Sequence, residues 1–245
     1  IAMAPAFDLD TSTLVRFSGA CYAIIIFCGV YSEMGIRQPL IDHSSAAKTA
    51  ENIEAHQALF LLGFVGDSLM VICDITLAVC LFSLLKPVSV LLSLAAAVFR
   101  LIQAATLAVN ILRMLNLVGP LLLIGKTSSG LAELQPAQLH GFAMFFLDMQ
   151  KYGYDLGLIF FGINCILTGL LVSRSEWPRM LGYLLIPTGA VYLIGSYLRF
   201  LAPSLHRLFA PAYLVPFLAE TALCVYLLIY GKDPCDGKKM GYVEV

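Results

Sequence analysis

The sequence predicts an all-α, polytopic transmembrane helical bundle of six spans, and three observations lead there. Hydrophobic residues make up 60% of the chain and charged residues only 13%, with a mean hydropathy of +0.86. A soluble domain is about half apolar and a quarter charged. The apolar runs are continuous rather than alternating, which excludes a barrel. Without water to satisfy backbone groups, only helices or closed barrels cross lipid. Polar or proline-bearing dividers separate runs longer than the roughly 20 residues that a bilayer core of about 30 Å requires.

The first span is predicted at Leu14 to Met34. Ile1 to Thr13 lacks a basic region followed by an apolar core, so a cleavable secretory signal is not expected there. The polar stretch from Arg37 to Glu54 divides it from the second span, His56 to Leu85. Lys86-Pro87 ends that helix, because proline lacks the amide proton that the next turn needs. The third span, Val88 to Ile124, and the fourth, Gln138 to Ser173, flank the polar loop Gly125 to Pro136. Both exceed a bilayer's needs, so their outer halves are expected to project into or near the headgroup zone. Trp177-Pro178 and Pro203-Ser204 bound the fifth span, Met180 to Leu201, and the sixth runs from Leu208 to Tyr230. Trp177 and Tyr183 fit an interfacial aromatic belt. Glycines 153, 157, 162, 169, 182, 189 and 195 suit close helix contact. Pro187, Pro211 and Pro216 should bend spans five and six. Residues 1–245 read as a single integral-membrane domain.

An even number of spans puts both ends on one side. The terminal side carries Arg16, Lys86, Arg174, Arg179, Lys232, Lys238 and Lys239, against Arg37, Lys48, Lys126, Arg199 and Arg207 opposite. That excess predicts cytoplasmic termini. A net charge of -1 without a basic run argues against nucleic acid as a partner. The 7 cysteines have no CxxC or metal-type spacing and read as small apolar side chains. Gly125-Lys126-Thr127 lacks the upstream glycine of a phosphate-binding loop.

Charge inside the spans carries the functional signal, because an ionised group facing lipid costs several kcal/mol. Measured from the inner helix ends, Asp74, Arg100 and Glu220 each lie roughly 17 Å deep at 1.5 Å per residue. The short Lys86-Pro87 turn makes spans two and three antiparallel neighbours, which pairs Asp74 with Arg100. A guanidinium fork would let Arg100 engage Glu220 as well. Asp67, Thr106 and Asp155 form a second layer, and Asn110, Arg113, Asp148 and Lys151 a third. Asp148, Lys151 and Asp155 share one helical face at i, i+3 and i+7, and Arg100, Gln103 and Asn110 form a comparable stripe. No base at their depth accounts for both Asp67 and Asp155, a pattern suited to proton exchange. Glu33 and Arg37, spaced i, i+4, read as a solvated helix-end pair.

His43, His56, His140 and His206 all fall on the outer side. Zinc takes imidazole and carboxylate ligands, so His56 and His140 are the candidate metal ligands, although no HExxH motif supports them.

Several stretches, taken in order, resemble a bacterial multi-pass membrane family catalogued as DUF family 4386. They are Arg16-Phe-Ser-Gly-Ala-Cys-Tyr22, the segment from Asp67 to Asp74, Lys86-Pro87, Phe99-Arg100-Leu-Ile-Gln103, and Tyr154-Asp-Leu-Gly-Leu-Ile-Phe160-Phe-Gly162. Ser173-Arg-Ser175-Glu-Trp-Pro178-Arg-Met-Leu-Gly182, followed by Pro187 and Tyr192, is the most distinctive. The resemblance implies a six-span protein of the bacterial inner membrane and brings no activity or catalytic residues with it. The residues themselves point to a non-enzymatic protein whose polar interior binds or transports a small solute, ion or lipid headgroup. An accessory or structural subunit of a larger membrane complex, and an intramembrane hydrolase or transferase using carboxylates or zinc, are the alternatives.

Overall fold

The structure is a computed structural model that describes residues 10–119 and 135–235, the side chains of 113–119 excepted. It is all-α, and among the described residues there is no strand. The helices are α1 (Thr11–Val30), α2 (Gln38–Leu40), α3 (Ala46–Ala55), α4 (Gln57–Leu85), α5 (Val90–Gly119), α6 (Pro136–Val172), α7 (Arg179–Leu201), α8 (Pro203–Phe209) and α9 (Leu214–Tyr230). Six stretches are long and apolar enough to cross a membrane: Thr11–Leu40, Gln57–Leu85, Val90–Leu112, Pro136–Val172, Arg179–Leu201 and Pro203–Tyr230. Large apolar side chains such as Phe27, Val65, Ile72, Leu91, Met180 and Ile229 are exposed on them. Hydrocarbon is the solvent that such surfaces fit, and the chain is an integral membrane protein of polytopic helical-bundle class.

The first span departs from its predicted end at Met34. The chain stays helical to Leu40 because Tyr31–Arg37 winds as a π-helix between α1 and α2. Ile36 and Leu40 pack into an apolar cluster, and two carboxylates neutralise Arg37, so polarity there does not end the helix. The expected polar divider also contains the amphipathic α3. Ser45 caps it by accepting the Lys48 amide, Thr49, Ala50 and Ile53 face inward, and Lys48, Glu51 and Glu54 face outward. The last residues predicted for span three, 120–124, lie outside the described residues. Span six begins earlier than predicted, with α8 and a 3-10 turn at Ala210–Tyr213 ahead of α9.

The chain divides into two compact units. The first comprises Ile1–Ala23, Asp74–Leu101 and Ile159–Val245. There α6 and α7 meet through glycines: a methyl group on Gly189 would overlap the Gly162 carbonyl, and Gly169 and Gly182 oppose each other in the same way. Close backbone approach maximises dispersion contacts where lipid offers no hydrophobic drive. Trp177 corrects the aromatic-belt reading. It is only 1% exposed, packs edge-on against Tyr226, and donates its Nε1–H to the Lys232 carbonyl at 2.9 Å. A buried indole whose single donor is satisfied is a packing residue.

The second unit comprises Ile24–Cys73 and Ile102–Leu158. Its apolar clusters are Ile36, Leu40, Ala50, Ile53, Phe60, Ala143 and Leu147, and Cys28, Met70, Val71, Ala104, Leu107 and Ile111. Asn110 of α5 donates to the Gln150 carbonyl of α6 at 2.8 Å, and Gly153 leaves the room that this side chain occupies.

Candidate functional site

In the first unit, Arg100 sits midway along α5 and is 2% exposed. The four-residue turn at 86–89, which contains Lys86-Pro87, folds α5 back along α4, so Arg100 Nη2 meets Asp74 Oδ1 at 2.6 Å. Both partners are buried. The guanidinium also lies over two rings, 5.4 Å from the Tyr22 centroid and 5.1 Å from that of Phe161. Desolvated cation–π contacts add roughly 2 kcal/mol or more. Among the described residues, Arg100 Nε has no hydrogen-bond partner. A cavity of about 10 Å³ reaches Arg100, Ser93, Asn164 and Thr168, room for roughly one water molecule.

Glu220, from α9, is buried beside this pair. The expected Arg100–Glu220 bond is absent. Glu220 instead accepts the Tyr192 hydroxyl of α7 at 2.5 Å, and the Tyr22 hydroxyl lies at the same carboxylate. Arg100 instead bonds Asp74 and lies over the two rings. Among the described residues, Glu220 is therefore an intramembrane carboxylate that forms no ion pair and is solvated by tyrosine hydroxyls.

In the second unit, Asp67 has a base that the sequence reading did not assign to it. The π-helical turn carries Arg37 inward, where its Nη1 meets Asp67 Oδ2 at 2.6 Å and its Nε meets Glu33 Oε2 at 2.8 Å. Arg37 is buried, so the solvated helix-end reading holds only for Glu33, whose side chain is 52% exposed. Among the described residues, Asp67 Oδ1 has no hydrogen-bond partner. Asp155, Gln103 and Asn110 are buried. Thr106 is not a partner for Asp67: its hydroxyl bonds back to the Ile102 carbonyl at 2.8 Å.

Asp148 and Lys151 do not line an interior. Their side chains are partly exposed, bonded to each other at 3.1 Å and gathered with His43. The shared-face reading fails for them because α6 turns Asp155 inward and leaves the two outer residues at the surface. His56 is exposed, with its Nδ1 3.0 Å from the Asn52 carbonyl, and His140 is half-buried. Among the described residues no group of three or more His, Cys, Asp or Glu is placed to hold a metal ion. The Arg113 side chain lies outside the described residues.

Sequence reasoning passed over Tyr22, Phe161 and Tyr192 because it followed formal charge, and left Arg37 in a solvated pair because it ended the first helix early. The signals were present. Mid-span tyrosines bring a polar tip to the charged layer, and Ile36 and Leu40 continue the apolar spacing past Arg37.

The profile of the family described as "Domain of unknown function (DUF4386)" matches residues 17–231. An "Uncharacterized protein" from Archaeoglobus fulgidus is 30% identical over 141 residues, covering 57% of this chain and 68% of that protein. No solved structure matches the chain. The chain belongs to the DUF4386 family.

Proposed function

We propose that this DUF4386 protein binds or transports a small solute or ion through its buried charged interior, with proton exchange at Glu220. One observation carries the reading: Glu220 lies in a membrane-length apolar stretch, forms no ion pair among the described residues, and is held by a tyrosine hydroxyl. Asp74 and Asp67 differ, since each has an arginine at 2.6 Å. Removing a charge from water costs several kcal/mol even after relaxation. A carboxyl that no basic side chain bonds directly among the described residues therefore couples its proton count to whatever else enters the site. Tyr192 and Tyr22 orient the carboxyl, and Asp74 holds Arg100 as a fixed positive neighbour.

The same reading places the protein in the bacterial cytoplasmic membrane with both termini inside, supported by the excess of lysine and arginine on the terminal side.

Proteoliposomes loaded with a pH-sensitive dye test the function. They are exposed in turn to small amines, organic acids and monovalent cations. Wild type is expected to change internal pH with at least one probe, and Glu220→Gln to show no such change while melting as wild type does. No probe-dependent change in wild type, or an equal change in Glu220→Gln, overturns the proposal.

A further inference from the structure

Glu220 is 7% exposed, so the proton exchange proposed for it needs a route through the protein. Protons move by hopping between hydroxyls, imidazoles and water, each of which both donates and accepts. Apolar side chains cannot carry them. The polar atoms that lead away from Glu220 therefore mark where a route can run.

One row of them follows α7. Tyr192, whose hydroxyl donates to Glu220, is followed one turn later by Ser196 at i+4 on the same face. The segment that returns after α7 lays Tyr213 on that face. Its ring lies 6.0 Å from that of Tyr192, and its hydroxyl packs so closely on Gly195 that a methyl group there would overlap it. His206 of α8 comes next, its ring 6.2 Å from that of Tyr213. It is half-buried, near the exposed Ser204 and Arg207, so the row ends at the polar boundary of the span. From Tyr192 to the end of α7 at Leu201 is about 14 Å at the helical rise.

Three atoms of this row are buried and have no hydrogen-bond partner among the described residues: Ser196 Oγ, the Tyr213 hydroxyl and His206 Nε2. Ser196 is 0% exposed. Buried polar groups are rarely left unmet, because each has given up its bonds to solvent. A bound water makes about three bonds to such groups, which joins these three to one another and to the Tyr192–Glu220 pair. The charged groups near the row are Arg199 on α7, which acts on both His206 and Tyr213, Arg207 on α8, and Glu220 itself on α9. Neutral links tolerate that charge, since each gives up a proton as it receives one.

We propose that His206, Tyr213, Ser196 and Tyr192, joined by bound water, form the proton path between Glu220 and the end of α7. This rests on the proton exchange proposed for Glu220 and adds the direction from which the proton comes, the outer side in the orientation proposed above. His206 takes a proton from solvent and releases one from Nε2 to the water held by Tyr213 and Ser196. The Tyr192 hydroxyl gives its proton to the Glu220 carboxylate and takes another from that water. Every link loses one N–H or O–H bond as it gains one, and the only lasting change is the neutralised carboxylate.

Time-resolved infrared spectroscopy after a light-triggered proton release, on the full chain in lipid nanodiscs, reads the path as a rate. The Glu220 carboxyl band is assigned by its loss in Glu220→Gln. Its rise is expected to slow tenfold or more in Tyr213→Phe and His206→Ala and several-fold in Ser196→Ala, with the final amplitude unchanged. Imidazole in the buffer is expected to restore the rate of His206→Ala, which a merely structural role of His206 does not predict, and His56→Gln is expected to match wild type. Should His206→Ala fail to fold, Tyr213→Phe and Ser196→Ala, each lacking one oxygen, decide the matter. Wild-type rates in Tyr213→Phe and His206→Ala, or a slow His206→Ala that imidazole does not restore, overturn the path and leave proton exchange at Glu220 standing. A wild type with no Glu220-dependent band overturns both.

Discussion

Replacing Arg100 with methionine tests how much the buried pair contributes. Methionine keeps much of the length and apolar bulk of the side chain but removes the 2.6 Å bond to Asp74 and both ring contacts. Breaking a buried pair by removing one partner costs about 3–5 kcal/mol, because a charge is left without compensation. The two cation–π contacts add roughly 0.5–2 kcal/mol each, so Arg100→Met is expected to cost about 4–9 kcal/mol. Asp74→Asn is expected to cost about 3–5 kcal/mol for the converse reason. In the double variant no charge of the pair remains. Its cost should therefore fall short of the sum of the single costs by about 2 kcal/mol or more, as contacting residues do in such cycles. Reversible unfolding in mixed micelles with increasing dodecyl sulfate measures all four proteins. Additivity within about 0.5 kcal/mol would refute the reasoning, because it would mean that the two side chains do not act on each other.

Three further outcomes are expected. Gly189→Leu places side-chain atoms against the Gly162 carbonyl and the Ile166 backbone, and overpacking of this kind costs typically 1–3 kcal/mol; the same micelle assay should show the loss, with Gly141→Leu, in open space, as the silent control. Arg37→Gln removes the base from Asp67, and is expected to destabilise by about 3–5 kcal/mol, with accelerated amide exchange across residues 31–37; unchanged exchange there would argue against the pair's role in holding the π-helical turn. The Ser44 hydroxyl and amide, and then Lys48, hold the Asp42 carboxyl well below the usual carboxylate range. Its contribution is therefore complete above about pH 4, the unfolded-state value, and is lost as pH falls further toward the folded-state value. Amide exchange at the start of α3 should quicken only in that acid range in wild type, and should show no such step in Asp42→Asn.

Much of the fold was legible because lipid imposes a simple rule: long continuous apolar runs must be helices, and prolines and polar loops must separate them. The Lys86-Pro87 break even fixed a tertiary contact, since so short a turn leaves Asp74 and Arg100 little choice but to meet. What stayed hidden depended on winding and rotation. Arg37 reaches Asp67 only through a π-helical turn, which no apolar period announces. Asp148 and Lys151 share a helical face with Asp155 by spacing, yet face outward beside His43, because the position of α6 among its neighbours sets which part of that face is buried. Trp177 followed the statistics of interfacial rings in sequence, but the carbonyl of Lys232, distant along the chain, satisfies its donor and allows burial. The pairing of Glu220 with tyrosine was beyond a reading that counted only ionised partners.

Infrared difference spectroscopy across a pH step, applied to protein reconstituted in lipid, tests the central claim most directly. A carboxyl band that responds to pH should disappear in Glu220→Gln and persist in Asp74→Asn, whose carboxyl is tied to Arg100. A spectrum that Glu220→Gln leaves unchanged would contradict the account.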